Sequence, residues 1–132
     1  MDVDRLRELP LFGELDHHDL SIVARWVKEV ELNDGDLLFE QGSMPHELFV
    51  LERGGAEVSH DGELIVSLGP GDVVGEMALL KLQRRWATVR AVGEVRAVTL
   101  DSDALAAITE EMPELGERLR EIMARRESEN EG

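Results

Sequence analysis

Short β-prone segments separated by glycines occupy the middle of this chain, and they restrict its fold more than any other feature. The segments between residues 29 and 100 are EVEL, DLLFEQ, ELFVLE, AEVS, ELIVSL, ATVRAV and EVRAVTL. Many short strands at regular spacing favour an antiparallel roll or sandwich over a sheet of alternating strands and helices. The dipeptide Asp61-Gly62 between two of them is typical of a tight hairpin turn. The sequence therefore predicts a β-roll over residues 29–100.

The first 28 residues predict helical structure, mainly over residues 6–28. Asp16 is placed to cap a helix. The apolar residues that follow keep the spacing of one helix face: Leu20, Val23, Ala24 and Val27. Pro10, in the segment LPLFG, interrupts the helical region before this cap. We expect the apolar face to pack against other apolar side chains.

A helical pattern returns at residues 101–127. Asp101 or Ser102 is placed to cap a first helix, and Pro113 suits the first turn of a second one. An apolar seam runs along these helices at steps of four and three residues, comprising Ile108, Met112, Leu115, Leu119 and Ile122. Such a seam docks either on the roll or on another copy of the chain. The pattern leaves both arrangements open.

Length and composition bound the class of protein. The chain has 132 residues, which suits one domain over residues 1–132 with a mainly β, α+β architecture. It contains no cysteine, so packing alone must hold the fold, as is usual in the cytoplasm. The amino terminus does not resemble a secretory signal, and no apolar run approaches the roughly 18 to 20 residues that span a bilayer. We therefore expect a cytoplasmic protein without a membrane partner.

The charge of the chain is strongly acidic. Acidic residues outnumber basic ones 29 to 14, which gives a formal net charge of -15. Such a field repels phosphate backbones, so we expect no nucleic acid to bind this chain alone. The exception is local, because residues 75–92 carry four basic side chains and the single carboxylate of Glu76. Groups that bind anions are concentrated in this segment.

The segment GEMALLKLQRRWATV, residues 75–89, combines a helical pattern with residues suited to a phosphate. Its first half is rich in helix formers without β-branching, which predicts one or two helical turns between strands. The start of such a turn favours an anion, and Arg85 supplies forked donors for phosphate oxygens. Glu76 would be repelled by a phosphate, so a sugar hydroxyl is its natural donor. The segment therefore predicts a ligand that carries both a phosphate and a sugar hydroxyl.

The same segment resembles the cyclic nucleotide-binding domain family, and the resemblance covers nearly the whole chain. The family's phosphate-binding cassette has the form G-E-[LM]-A-L-[LI], a few variable residues, and then P-R-x-A-T-V. Here GEMALL, KLQ and RRWATV follow that form without a gap. The flanking segments LPLFGEL, FEQG, LFVLERGGAEV and LGPGDVVGE are also similar. The resemblance implies an eight-stranded β-roll between amino- and carboxy-terminal helices.

Roles for individual residues follow from this resemblance. It implies that Glu76 accepts the ribose 2′-hydroxyl and that Arg85 pairs with the cyclic phosphate. Backbone groups would complete the cradle, with small side chains leaving room for the ligand. The predicted ligand-binding residues are Gly75, Glu76, Met77, Ala78, Arg85, Trp86, Ala87 and Thr88. The expected ligand is cyclic AMP, or less favourably cyclic GMP, and no other cofactor or metal is expected.

Two residues depart from the family's cassette. Arg84 stands where the family usually has proline, so a rigid turn is lost and a charge is added. Trp86 stands where the family usually has alanine, serine or threonine. A hydroxyl there helps to hold phosphate or favours guanine, and tryptophan offers none. Trp86 either stacks on a purine, packs at the core or rim, or fills the pocket, and the sequence does not choose.

Three hypotheses for the function are compatible with these sequence patterns. The leading hypothesis is a noncatalytic regulatory sensor whose carboxy-terminal helices respond to the nucleotide, forming a homodimer or contacting an effector. The second is an interaction protein that keeps the fold but no longer binds nucleotide. The third, a roll-shaped metal enzyme, is disfavoured because the histidines are scattered and read as solvated residues: His17, His18, His46 and His60. No serine or cysteine nucleophile stands in a recognisable setting, so we expect no catalysis.

Overall fold

The computed structural model describes residues 1–131. At Met77, Leu80, Ile122, Met123 and residues 126–131 it describes the backbone alone. The helices are α1 (Val3–Arg7), α2 (His17–Trp26), α3 (Glu76–Lys81), α4 (Ser102–Glu111) and α5 (Pro113–Glu131), with a 3₁₀ turn at Pro10–Phe12. The strands are β1 (Lys28–Leu32), β2 (Leu37–Phe39), β3 (Glu47–His60), β4 (Glu63–Leu68), β5 (Val73–Val74) and β6 (Thr88–Asp101).

Two long strands form the centre of an antiparallel sheet. The order of strands is β1-β6-β3-β4, while β2 pairs with β6 and β5 pairs with β3. The pairing of β3 with β6 extends from Glu47 opposite Asp101 to Ser59 opposite Thr88. Asp61 and Gly62 form the β3–β4 hairpin turn with φ of 51° and 83°, as predicted. The predicted β-rich domain with flanking helices is therefore confirmed.

The expected count of eight strands is not confirmed, because the described residues form six. The runs ELFVLE and AEVS belong to one strand, β3, and the runs ATVRAV and EVRAVTL belong to β6. Gly54 and Gly93 lie between these runs with φ of 82° and 73°. The pairing of β3 with β6 shifts register around Arg53 and Gly55. The glycine at 54 thus produces an irregularity in a continuous strand, not a turn that ends it.

The helix caps agree with the sequence patterns, whereas some boundaries differ. The side chain of Asp16 accepts a hydrogen bond from the Asp19 amide, and Asp101 accepts one from Ala104, both at 2.8 Å. Pro113 begins α5. The predicted helical region 6–28 was too long at its end, because Val27 is already extended and β1 follows it. Val27 nevertheless remains buried.

A large apolar cluster joins the terminal helices to one end of the sheet. The carboxy-terminal seam enters it through Ile108, Met112, Leu115 and Leu119. These side chains lie in the same cluster as Phe12 and Leu20 of the amino-terminal helical region. The seam therefore packs within its own chain, while the side chain of Ile122 lies outside the described residues. A second cluster fills the roll itself, around Phe49, Leu51 and Ala97.

The continuity of β3 at Gly54 gives a stability prediction. A Cβ at this residue would lie 2.3 Å from the Glu94 carbonyl oxygen, and φ is +82°. A Cβ at Gly62 has the same strained φ, +83°, but nothing lies within 4 Å of it. Gly62→Ala should lower the free energy of unfolding by about 1 to 2 kcal/mol, the cost of a left-handed residue. Gly54→Ala should lower the free energy of unfolding further, because the backbone must also move to make room for the Cβ beside the Glu94 carbonyl oxygen.

Urea denaturation of the two variants and the wild type measures this difference. Equal losses of unfolding free energy would contradict the close approach of β3 to the Glu94 carbonyl.

Candidate functional site

A cleft of about 1470 Å³ lies between the β-roll, the segment around α3, and α5. Most of the predicted ligand-binding residues line it, namely Gly75, Glu76, Ala78, Arg85, Trp86 and Ala87. Thr88 is not among the lining residues, and its hydroxyl accepts a hydrogen bond from the Gln41 amide at 3.0 Å. The backbone of Met77 lies in the first turn of α3, while its side chain lies outside the described residues. The fold thus gathers six of the eight predicted residues in one cleft.

Gly75 makes the start of α3 possible in this crowded position. It caps the helix with φ of 85°, a conformation that glycine adopts without strain. A Cβ here would lie 2.5 Å from the Arg85 Nη1 atom and 2.9 Å from the ring of Phe39. The next residue, Glu76, is completely buried. The backbone at Gly75 therefore lies so close to Arg85 that a side chain at residue 75 would collide with it.

Arg85 is buried and oriented by three contacts. Only 4% of its surface is exposed. Nη1 donates to the Gly75 carbonyl at 2.6 Å, and Nη2 donates to the Glu47 carbonyl at 2.5 Å. The guanidinium carbon lies 3.9 Å from the centroid of the Phe39 ring. These contacts fix the plane of the cation.

The electrostatic setting of Arg85 balances burial against nearby carboxylates. Burial lowers the pKa of Arg85 below its ordinary value, whereas the charges of Glu47 and Glu76 act to raise it. An arginine stays protonated under such conditions. Its Nε atom is buried and has no hydrogen-bond partner within the part of the chain that the structure describes. A fixed cation with one unused donor therefore lies beside the buried carboxylate of Glu76.

The loop before β3 holds the backbone on both sides of Arg85. The Arg85 amide donates to the Ser43 carbonyl, and the Arg85 carbonyl accepts from the Gly42 amide, each at 2.8 Å. Arg84, which replaces the expected proline, donates from Nη1 to the Gly42 carbonyl at 3.0 Å. The charge that Arg84 adds thus becomes a tether to the loop.

Trp86 lies at the rim of the cleft, outside both apolar clusters, and 51% of its surface is exposed. Its ring system is parallel to the imidazole of His60, with centroids 4.0 Å apart and an interplanar angle of 4°. The His60 Nδ1 atom donates to the Trp86 carbonyl at 2.6 Å. His60 was predicted to be solvated, but it ends β3 and is half-buried against this ring. No local signal predicts this contact, which joins residues 26 positions apart.

The other three histidines are exposed, as expected: His17, His18 and His46. Across the described residues, no three His, Cys, Asp or Glu side chains are grouped in a way that could hold a metal ion. Nor does the described chain contain a helix long and apolar enough to cross a membrane.

Helix α5 forms one side of the cleft and is fastened to the amino-terminal region. Arg118 pairs with the carboxylate of Glu14. Its Nη1 atom also donates to the carbonyls of Pro10 and Leu11, at 3.3 and 3.5 Å. All three partners lie about a hundred residues away along the chain, so sequence reasoning missed these contacts. The carboxy-terminal helix is thereby held beside the predicted binding residues.

The chain matches the sequence model described as "Cyclic nucleotide-binding domain" over residues 29–112. It is 27% identical over 125 residues to a putative potassium channel protein of Rhodopseudomonas palustris, covering 92% of this chain and 30% of that protein. It is 26% identical over 121 residues to the CRP-like cAMP-activated global transcriptional regulator of Mycobacterium tuberculosis, covering 88% of this chain and 54% of the regulator. The chain thus spans about half or less of the length of these relatives.

The structure is similar to the crystal structure of the Thermus thermophilus catabolite activator protein. The TM-score is 0.83 at 26% sequence identity, and the match covers 92% of this chain and 60% of that one. The matched sequence model extends from β1 to the end of α4 and includes the whole segment of residues 75–89. By sequence and by fold, this chain belongs to the cyclic nucleotide-binding domain family.

Proposed function

We propose that this chain is a noncatalytic regulatory module of the cytoplasm, that residues 1–132 act as one domain, and that the ligand is a cyclic nucleotide. The observation that carries the proposal is the buried Arg85 guanidinium, fixed beside Glu76 at the edge of a cleft. The ligand-binding residues are those predicted above, with Arg85 on the cyclic phosphate and Glu76 on the ribose 2′-hydroxyl.

The donors of Arg85 support a phosphate as the group bound there. Both Nη atoms already donate to backbone carbonyls, so the guanidinium is oriented before a ligand arrives. The Nε–H is the donor without a protein partner in the described chain. Nε is buried, so the groups that cover it must move aside before a phosphate oxygen can accept a charge-assisted hydrogen bond from it. A preoriented cation also loses little side-chain entropy on binding.

The chemistry of Glu76 supports a nucleotide over a simple phosphate. A carboxylate repels an anion unless it binds a different group of the same ligand. Ribose offers a hydroxyl donor at a fixed distance from the cyclic phosphate, so one molecule can satisfy both side chains. The strongly acidic remainder of the chain makes nucleic acid an unsuitable partner.

Cyclic AMP is proposed in preference to cyclic GMP. Trp86 stands where the family usually has alanine, serine or threonine, so the site lacks a hydroxyl there that would favour guanine. The M. tuberculosis relative is described as cAMP-activated, which supports the same choice.

The carboxy-terminal helices are proposed to transmit binding. Helix α5 borders the cleft and contacts the region around α3, and Arg118 ties it to the amino-terminal region. A ligand that binds one position of α5 better than another shifts the population of that position. The output partner would be a second copy of the chain or an effector protein that contacts these helices.

The phosphate role of Arg85 predicts a large loss of affinity when its charge is removed. Arg85→Ala should weaken cyclic AMP binding on the order of a hundredfold, because a charge-assisted bond is lost. Arg90→Ala is the matched control, since Arg90 is exposed, donates to the Gly35 carbonyl and is not among the residues that line the cleft. It should change the dissociation constant by less than about threefold. Isothermal titration calorimetry measures both, and circular dichroism checks that each variant is folded.

Two results would overturn the sensor assignment. One is a wild-type chain that shows neither heat nor thermal stabilisation with millimolar cyclic AMP or cyclic GMP, which would favour the interaction protein. The other is a folded Arg85→Ala variant that binds cyclic AMP as tightly as the wild type does.

The ribose role of Glu76 predicts coupling between this side chain and the 2′-hydroxyl. Wild-type protein should bind 2′-deoxy cyclic AMP about tenfold more weakly than cyclic AMP, because one hydrogen bond to a charged acceptor is lost. Glu76→Gln should show a smaller difference between the two ligands. Competition titrations with both proteins and both ligands give this double difference directly. Equal discrimination by the two proteins would place the 2′-hydroxyl elsewhere.

A further inference from the structure

Trp86 presents one covered and one open ring face at the rim of the cleft. The covered face lies against the imidazole of His60 in a parallel stack with 4.0 Å between centroids. Because half of the side chain is still exposed and the residue lines the cleft, the exposed surface includes the opposite face. An exposed tryptophan held in this way is a flat apolar surface beside the candidate phosphate anchor.

The ring is held in place from behind. The His60 Nδ1 atom donates to the Trp86 carbonyl at 2.6 Å, and its Nε2 atom lies 3.3 Å from the Asp61 carboxylate. Asp61 is itself braced twice by Gln41, whose amide nitrogen donates to its carboxylate and whose oxygen accepts from its backbone N–H. The imidazole therefore cannot rotate without breaking hydrogen bonds, and the indole rests on a fixed support.

Two other exposed apolar side chains line the same cleft. Ile65 and Val66 of β4 line the same cleft, and each is 45% exposed. Exposed aliphatic and aromatic side chains that share a cleft provide a site for a planar apolar group. Such groups are the faces of nucleobases, which stack on aromatic side chains whatever their hydrogen-bonding edges.

We infer that the open face of Trp86 stacks on the base of the bound cyclic nucleotide and makes the site select purines over pyrimidines. The inference rests on the proposed function, which puts the phosphate on Arg85, the preceding residue. In a cyclic nucleotide the base lies one ribose away from the phosphate, so adjacent residues can serve the two ends. A bicyclic purine covers more of the indole than a pyrimidine does, and the stacking gain is larger. Adenine and guanine both gain from this stack. The stack therefore distinguishes purines from pyrimidines, and other contacts must distinguish adenine from guanine.

The test compares binding of cyclic AMP, cyclic GMP, cyclic CMP and cyclic UMP to the wild type, Trp86→Ala and Trp86→Phe. The wild type should prefer the purine ligands by roughly tenfold, in keeping with the range for base stacking on aromatic side chains. Trp86→Ala should reduce this ratio of affinities to near one, mainly because the purine ligands bind more weakly. Trp86→Phe keeps an aromatic face and should retain most of the preference.

A fluorescence titration gives a second, independent measurement. Trp26 is the other tryptophan of the chain; it lies in α2 and is not among the residues that line the cleft. In a Trp26→Phe background, the emission therefore reports Trp86 alone. Cyclic AMP should quench this emission as the base stacks on the indole, whereas Trp26 in a Trp86→Phe background should respond little.

The outcomes separate this inference from the proposed function. If the wild type binds no cyclic nucleotide, the proposed function fails and the inference fails with it. If the wild type binds and Arg85→Ala weakens binding on the order of a hundredfold, the function stands, and an unchanged purine preference in Trp86→Ala overturns the stacking role. Tighter purine binding by Trp86→Ala would also overturn it, because Trp86 would then obstruct the cleft.

Discussion

The site depends on a buried cation that the backbone holds in one orientation. Removing a guanidinium from water costs several kcal/mol unless its N–H groups find hydrogen-bond acceptors in the protein. Arg85 meets this requirement through the carbonyls of Gly75 and Glu47 and through the face of Phe39. These contacts also dictate neighbouring residues, because any side chain at Gly75 would collide with the arginine. The start of α3, the loop before β3 and the end of β2 are thus positioned around a single side chain.

The fold connects this site to both ends of the chain. At one end of the long β3–β6 pair, β3 finishes at His60 and β6 begins at Thr88, two residues after Trp86. The terminal helices pack at the other end. Leu115 and Leu119 fix α5 in the larger apolar cluster, while Arg118 ties the same helix to the turn after α1. The cleft and the larger apolar cluster thus both include side chains of α5.

Sequence patterns predicted the features that depend on neighbouring residues. The caps at Asp16 and Asp101, the Asp61-Gly62 turn and the short helix after Gly75 all follow from local chemistry, and all are confirmed. The number of strands was not confirmed, because a glycine between two β-prone runs permits a bulge as readily as a turn. The contacts of Trp86 with His60 and of Arg118 with Glu14 were also missed. They join distant segments, and the sequence around these four residues contains no pattern that predicts the contacts.

Arg85 is proposed to bind the phosphate of a cyclic nucleotide through its Nε–H, a donor without a hydrogen-bond partner among the described side chains. Nuclear magnetic resonance of the ¹⁵N-labelled chain tests it most directly, by following the Nε–H signal of Arg85, identified by its loss in Arg85→Lys, during titration with cyclic AMP. If Nε donates to the phosphate, this signal should shift downfield and exchange more slowly with water as the site fills. A signal that stays in place while cyclic AMP saturates the protein would show that the phosphate binds elsewhere.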